Sequence, residues 1–211
     1  MSFRRPFILD GEPDDKLQEQ AVSKPDPSSP QAKWNRLYAR GRRSRLHPTL
    51  VHYLPQIPGG RALEIACGTG ENALYLAQQG FHVDAIDISE VALRQAQRRA
   101  RALGLSVHFI VCDAATFTYP PATYDLVLNF YFLDRRVFPA IARTLKPGGW
   151  LIFETFNLRH LRVRPDANPD HLLRLGELRQ VFQAWGFHIL VYREVDHRTT
   201  LVARKPGPRT S

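Results

Sequence analysis

Cysteine occurs only twice in the 211 residues, at Cys67 and Cys112, and the C-x-x-C spacing of metal and redox motifs is absent. A disulfide framework or a structural zinc site is therefore excluded as the source of stability. No apolar run approaches the ~18 residues that a membrane-spanning helix requires, so no membrane association is expected. Methionine occurs once and lysine five times, against 24 arginines. The formal net charge of +9 and the pI near 10.0 thus rest almost wholly on guanidinium groups. Such a balance favours anionic partners, whether nucleic acid, anionic metabolites or oxyanions, without choosing among them. An arginine bias of this kind is equally what genome composition produces. The N-terminus begins with Phe3-Arg4-Arg5 but turns acidic at Asp10, Glu12, Asp14 and Asp15. Neither a signal peptide nor an acid-poor transit peptide fits, and a cytoplasmic location is the expectation.

What remains is ordinary for a globular protein, with 44 % hydrophobic and 23 % charged residues. A chain of this length can bury roughly 70 % of its unfolded surface in one domain. Residues 1–30 are polar and punctuated by Pro13, Pro25, Pro27 and Pro30, which predicts a mobile arm. Residues 205–211 read as a second tail, leaving 31–204 as the domain. Within it, apolar runs alternate with helical patterns. Strands are expected at 62–66, 81–86, 107–111, 124–129 and 150–156. Helices are expected over 72–79, from the Ser89-Glu90 cap onward, from Pro139 towards Leu145, and where Leu178, Val181, Phe182 and Trp185 recur at helical spacing. In the second helix Leu93, Ala96, Ala100 and Leu103 form one stripe, with Arg94, Arg98 and Arg101 opposite. Lys146-Pro147-Gly148-Gly149 stops the third. Two closing strands, 187–195 and 199–204, are joined by Asp196-His197-Arg198, too short for a parallel crossover, so they are antiparallel. The pattern predicts an α/β fold: a three-layer Rossmann-like sandwich whose seven-stranded, mostly parallel sheet ends in an antiparallel C-terminal hairpin. Such sheets bind ligands beyond the carboxyl ends of their strands.

The first strand-to-helix turn, Cys67-Gly68-Thr69-Gly70, places small residues where the backbone turns tightly and can approach a ligand. A plain tight turn would look the same. Asp87 ends the second strand, where a carboxylate can accept both hydroxyls of a ribose or, more simply, cap the next helix in competition with Ser89. Asp113 ends the third strand, where it could take a base amino group or serve as a turn residue. Gly68 to Ala73 also satisfies G-x-G-x-x-A, with Asp87 near the expected distance, so a nicotinamide-dependent oxidoreductase is a formal alternative. Glu64 inside the first strand, where a charge needs a functional or paired reason, and the terminal hairpin both argue against it.

LEIACGTGENALYLA, VDAIDIS, VCDA, YDLVLNF and LKPGGWLIFETF, taken in order, resemble the successive motifs of class I S-adenosylmethionine-dependent methyltransferases over about residues 33–204. The set in order is specific, whereas no single member is. Trp34-Asn35-Arg36-Leu37-Tyr38 and Glu154-Thr155-Phe156-Asn157 are most similar to the small bacterial group that contains tellurite-resistance methyltransferases. Ala66 departs from the pattern, since many members carry glycine there. The resemblance implies that S-adenosylmethionine is the methyl donor. It implies that Glu64, Ala66, Gly68 and Gly70 shape the pocket floor and hold the methionine portion. Asp87 would bind the ribose, with Ile88 against the adenine and Asp113 and Ala114 along its edge. Asn129 and Phe130 would border the methyl group. Trp34 and Tyr38 would fold over the methionine end as a lid, unless they serve only as the core face of a leading helix.

Methyl transfer asks the protein for position and electrostatics. Tyr38, Phe130 and Tyr131 are candidates to surround a sulfonium, a cation that gains about 0.5–2 kcal/mol near aromatic faces. The acceptor side is expected from Tyr131, Phe132 and the loop after strand five, which carries Arg159, His160, Arg162 and Arg164. Such a cluster suits a small anionic acceptor through charge-assisted hydrogen bonds, and His160 could take a proton from a thiol or hydroxyl. Soft acceptors, thiolate or selenium and tellurium anions, need less help. Arg40, Arg42, Arg43 and Arg45, with the arginine face of the second helix, could instead grip RNA phosphates, though no separate recognition module is visible. No metal site is expected.

Overall fold

Five parallel strands run side by side through the centre of the computed structural model, which describes residues 7–8 and 25–207. The first elements are β1 (Phe7–Ile8), α1 (Pro30–Ala39), α2 (Pro48–Tyr53), β2 (Arg61–Ile65), α3 (Glu71–Gln78), β3 (His82–Asp87) and α4 (Glu90–Ala102). There follow β4 (His108–Val111), β5 (Tyr124–Phe130), α5 (Phe138–Thr144), β6 (Leu145–Phe156), α6 (Glu177–Ala184), β7 (His188–Val195) and β8 (Arg198–Arg204). The sheet order is β1-β4-β3-β2-β5-β6-β8-β7. Strands β4, β3, β2, β5 and β6 are parallel, β8 is antiparallel to β6, and β7 is antiparallel to β8.

Alternation along each strand divides the core into two layers. Ala62, Val83, Leu126, Leu128 and Ile152 pack with Leu76 of α3 and Leu93 and Ala96 of α4 on one face. Leu63, Ile65, Ile86, Val127 and Phe153 pack with Ile141 of α5 and Leu178 and Phe182 of α6 on the other. Because both faces are covered, the central strands read as continuous apolar runs rather than alternating ones. Each layer hides large side chains completely, so truncating one to alanine costs about 2–5 kcal/mol.

The seven expected strands are present, with differences at their ends. An eighth, β1, comes from the segment expected to be a mobile arm and pairs antiparallel with β4 through Phe7↔Val111 and Ile8↔Ile110. The rest of that arm before Pro25 lies outside the described residues, as do 208–211. Lys205, expected in the tail, is docked: its Nζ donates to the carbonyls of Ala142 and Leu145, each at 2.7 Å. Strand β6 begins at Leu145 rather than 150, with a register shift between Tyr124 and Leu126 that absorbs Lys146–Gly149 as an irregularity of the ladder. Leu103 is the C-cap of α4 and Trp185 that of α6, and both are exposed rather than part of a buried stripe. Ser89 is the side-chain cap of α4, accepting from Ala92 N at 3.2 Å, so Asp87 is free of that task. The closing turn has two residues, Asp196 and His197, with Asp196 at φ 52°, a left-handed conformation that aspartate tolerates in tight hairpins.

Candidate functional site

The turn after β2 carries its chain reversal in three left-handed residues: Ala66 (φ 54°), Gly68 (φ 57°) and Gly70 (φ 75°). A Cβ on Gly68 would collide with Ser44 Oγ and lie 2.5 Å from the phenol oxygen of Tyr38, so only glycine fits beneath those two groups. Asp87, at the end of the adjacent β3, holds the turn: its Oδ2 accepts from Gly68 N at 2.8 Å and its Oδ1 from Ser89 N at 2.7 Å. Burial pushes the Asp87 carboxyl up to about 6, against the backbone N–H groups of Ser89, Gly68 and Ile88. The bonds from Gly68 N and Ser89 N take two of its roughly four lone-pair positions. Asp113 follows β4 and folds its own loop, accepting from Ala115 N at 2.9 Å, while the Ala114 carbonyl accepts from the Tyr119 hydroxyl at the same distance. Asn129 and Phe130 end β5. The sheet order therefore lines up Asp113, Asp87, the glycine turn and Asn129 along one edge, in the sequence β4, β3, β2, β5.

Glu64 lies within β2, fully buried. Its Oε1 accepts from Asn72 Nδ2 at 2.8 Å, whereas its Oε2 has no partner. Desolvation pushes this carboxyl up to about 8. A buried carboxylate oxygen without a donor is costly unless a cation or donor arrives. Among the described residues four buried side-chain polar atoms lack a partner, and three of them, Glu64 Oε2, Asn129 Oδ1 and His160 Nδ1, belong to residues expected in the site.

A segment that the sequence did not single out for this role crosses the glycine turn. Ser44 N donates to Thr69 Oγ1 at 2.8 Å, and Thr69 N donates back to Ser44 Oγ at 3.0 Å. His47 N donates to Asn72 Oδ1 at 2.8 Å. The His47 ring stacks on Phe130 and meets Glu154 Oε1 through Nε2 at 3.2 Å. Its Nδ1 accepts from Thr49 N at 3.3 Å, capping α2 and placing the ring proton on Nε2. Helix α1 reinforces the cover: Asn35 Oδ1 accepts from Ser89 Oγ at 2.8 Å, and Gln95 Nε2 donates to the Tyr38 carbonyl at 3.3 Å. Tyr38 is buried, and that burial together with the Asp87 charge pushes its phenol up to about 12. Trp34 is half-buried under the Arg42 guanidinium, 5.3 Å from its ring.

Just past β5, Tyr131 sits at φ 57° and donates its hydroxyl to Glu154 Oε1 at 3.2 Å. Glu154 also accepts from Thr200 Oγ1 at 2.7 Å. These donors and His47 hold its carboxyl below the usual range despite burial. The rings form one continuous wall. Tyr131 is 5.7 Å from His47 and 5.3 Å from Phe156, and His160 stacks on Phe156 at 4.3 Å. Desolvation and the neighbouring His197 lower the pKa of His160. The expected cluster of four cations does not assemble. Arg159 turns to the Glu194 carbonyl at 3.3 Å, Arg164 pairs with Asp166 at 2.9 Å, and Arg162 is exposed. Of that loop, His160 alone joins the ring wall.

His47, Ser44 and Glu154 were not singled out from the sequence as candidate site residues. The signal for the first two was nearly absent, since residues 41–47 are polar and aperiodic. Glu154 could have been found as a charge at the end of an otherwise apolar strand. On α4, Arg94 pairs with Glu90 at 2.6 Å and Arg99 bonds to Glu71, so two arginines of that helix are already committed to acids. Burial pushes the Cys112 thiol up to about 12 and Cys67 well above its ordinary value, so neither supplies a thiolate. Among the described residues no group of three or more His, Cys, Asp or Glu is placed to hold a metal ion, and no helix is long and apolar enough to cross a membrane.

Comparison with known proteins agrees with this geometry. The model of the family described as a methyltransferase domain matches residues 62–149. The chain is 36 % identical over 163 residues to a ubiquinone biosynthesis O-methyltransferase of Burkholderia orbicola, covering 67 % of this chain and 70 % of that protein. It is 28 % identical over 168 residues to a probable thiol methyltransferase 2 of Arabidopsis thaliana, covering 75 % and 72 %. It is 33 % identical over 135 residues to an S-adenosyl-L-methionine-dependent Diels-Alderase of Talaromyces variabilis, covering 60 % of this chain but only 44 % of that longer protein. Its fold matches a solved S-adenosylmethionine-dependent methyltransferase of Methanosarcina mazei with a TM-score of 0.62 at 23 % identity, over 78 % of this chain and all of that one. The chain belongs to the class I S-adenosylmethionine-dependent methyltransferases.

Proposed function

We propose that the edge built by β4, β3, β2 and β5 holds S-adenosylmethionine and that the methyl group goes to a small, soft acceptor, a thiol or its selenium or tellurium counterpart, beside Tyr131. Glu64 fits the donor's ammonium group, because Oε2 is a buried acceptor in need of a charged donor. Ala66, Gly68 and Gly70 bring backbone to the methionine end, and Ser44, Trp34 and Tyr38 cover it. Asp87 takes the ribose hydroxyls on its remaining lone pairs, with Ile88, Asp113 and Ala114 around the base. Asn129 and Phe130 border the reacting methyl. The donor supplies a sulfonium-activated methyl electrophile. The chain supplies the binding, the orientation and the exclusion of water.

The observation that carries the soft acceptor is the state of the bases in the ring wall. Both nitrogens of His47 are committed, Glu154 is held ionised by several donors, and only His160 Nδ1 is unpartnered. With its pKa lowered, His160 is a weak base. A thiol near 8.5 lies within its reach, and each further unit of acceptor pKa costs about 1.4 kcal/mol, which disfavours alcohols. The likeness to a probable thiol methyltransferase supports the same reading. The test uses methyl-labelled S-adenosylmethionine, the purified protein and fractionated cell extract, with a panel of simple thiols beside it. Label in small or volatile molecules and in the thiols is the expected result. Label confined to RNA or protein would overturn it.

A further inference from the structure

We infer that Arg198, at the tip of the β7–β8 hairpin, is the anchor for a carboxylate, or an equivalent singly charged planar oxyanion, carried by the methyl acceptor. This inference rests on the small-acceptor reading above and names the end of the acceptor opposite the methyl. Arg198 faces Phe156 across the β6–β8 ladder, so its backbone is held level with the ring wall. Its side chain is 49 % exposed, and the guanidinium stands 3.8 Å from Glu154 Oε1, beyond hydrogen-bond length. The same Glu154 Oε1 takes the Tyr131 hydroxyl, so the phenol and the guanidinium share one carboxylate oxygen as neighbour. Glu154 already receives His47, Thr200 and Tyr131 and does not depend on the arginine. A guanidinium has five N–H donors in a flat fork, and on a half-exposed side chain most of these remain available.

The charges around it select the ligand. Glu154 lies behind the guanidinium, and Asp196 precedes His197 and Arg198 in the hairpin. A dianion would meet both carboxylates with one permanent cation in its favour, whereas a monoanion is matched by the fork. His197 tilts over His160 at 5.1 Å and stacks on Phe156 at 5.6 Å, extending the aromatic wall to the residue before the arginine. The body of the acceptor is therefore short and lies against aromatic faces, with its charged end at Arg198 and its nucleophile towards Tyr131 and His160.

The test compares 3-mercaptopropionate with 3-mercaptopropionamide, two thiols that differ in the charge of one end. The unaltered enzyme should favour the acid by at least tenfold in kcat/KM, through KM. R198Q should bring the ratio of the two to within about twofold, R198K should restore part of it, and the affinity for S-adenosylmethionine by calorimetry should stay within twofold. No preference in the unaltered enzyme, or a preference kept by R198Q, would overturn the anchor while leaving thiol methylation intact. A second measurement does not need turnover: titration of 3-(methylthio)propionate into the complex with S-adenosylhomocysteine. Binding at least tenfold tighter to the unaltered protein than to R198Q supports the anchor even if neither thiol is methylated, a result that would remove the soft-acceptor reading alone. Equal binding to both proteins, or to neither, removes the anchor.

Discussion

The imidazole of His47 lies face to face on the ring of Phe130, with centroids 3.9 Å apart and planes 10° from parallel. One ring belongs to the segment that crosses the glycine turn, the other to the end of a central strand. Their contact ties that segment to the carboxyl edge of the sheet. The same imidazole meets Glu154 Oε1 through Nε2.

Removing that ring should be felt in both stability and binding. His47→Ala is expected to lower unfolding free energy by about 2–4 kcal/mol, from the buried ring volume and the lost bonds to Glu154 and Thr49. Affinity for S-adenosylmethionine should fall with it. Urea unfolding and calorimetry check the two, and a variant as stable as the parent would show that the segment is not held from this point.

Glu64 gives a signed pH dependence. Its carboxyl is pushed up to about 8 in the fold from an ordinary value of 4.5. Between those values the folded state keeps a proton that the unfolded state has released, so stability falls as pH rises through the window. Glu64→Gln should flatten that slope, because the amide cannot ionise. It should also weaken S-adenosylmethionine binding by about tenfold or more, if the carboxylate meets the ammonium group. Denaturation at pH 5 and pH 8, with and without the donor, is the measurement; an unchanged slope would remove Glu64 as its source.

Ala66 occupies a left-handed conformation that costs an L-residue roughly 1–2 kcal/mol. Ala66→Gly should therefore leave stability unchanged or raise it by up to about 1 kcal/mol, the relief being offset by greater freedom of the unfolded chain. Loss of more than 1 kcal/mol in urea titrations would show that the alanine methyl packs usefully.

His160→Ala should lower turnover on the true acceptor while cofactor affinity stays within about threefold. In the parent, the acidic limb of kcat/KM against pH should fall below 6.5, in the direction that desolvation and His197 drive this imidazole. The limb should vanish in the variant. Turnover equal to the parent's would remove His160 from proton transfer.

Much of the fold was legible because its determinants are short-range. The runs 62–66, 81–86 and 124–129 announce buried strands by composition, and Gly68 and Gly70 announce the turn by the backbone freedom that it needs. Asp87 was singled out from its place at a strand end, and the short link Asp196-His197-Arg198 dictated an antiparallel partner. The four-cation loop was misjudged because counting arginines does not reveal which of them meet Asp166 or a carbonyl.

Tertiary structure alone decided what closes the site. His47 and Glu154 are 107 residues apart in the chain, and Ser44 and Thr69 are 25 apart, in segments without shared periodicity. The chain by itself determined the sheet, its glycine turn and the row of strand-end carboxylates, through local propensity and alternation that act within a few residues. Whether Glu64 stays protonated, which arginine comes beside Glu154 and Tyr131, and which ring faces Phe130 depend on burial and on partners brought in from distant strands. Desolvation and hydrogen-bond geometry are properties of those assembled surroundings, and no stretch of the chain carries them alone.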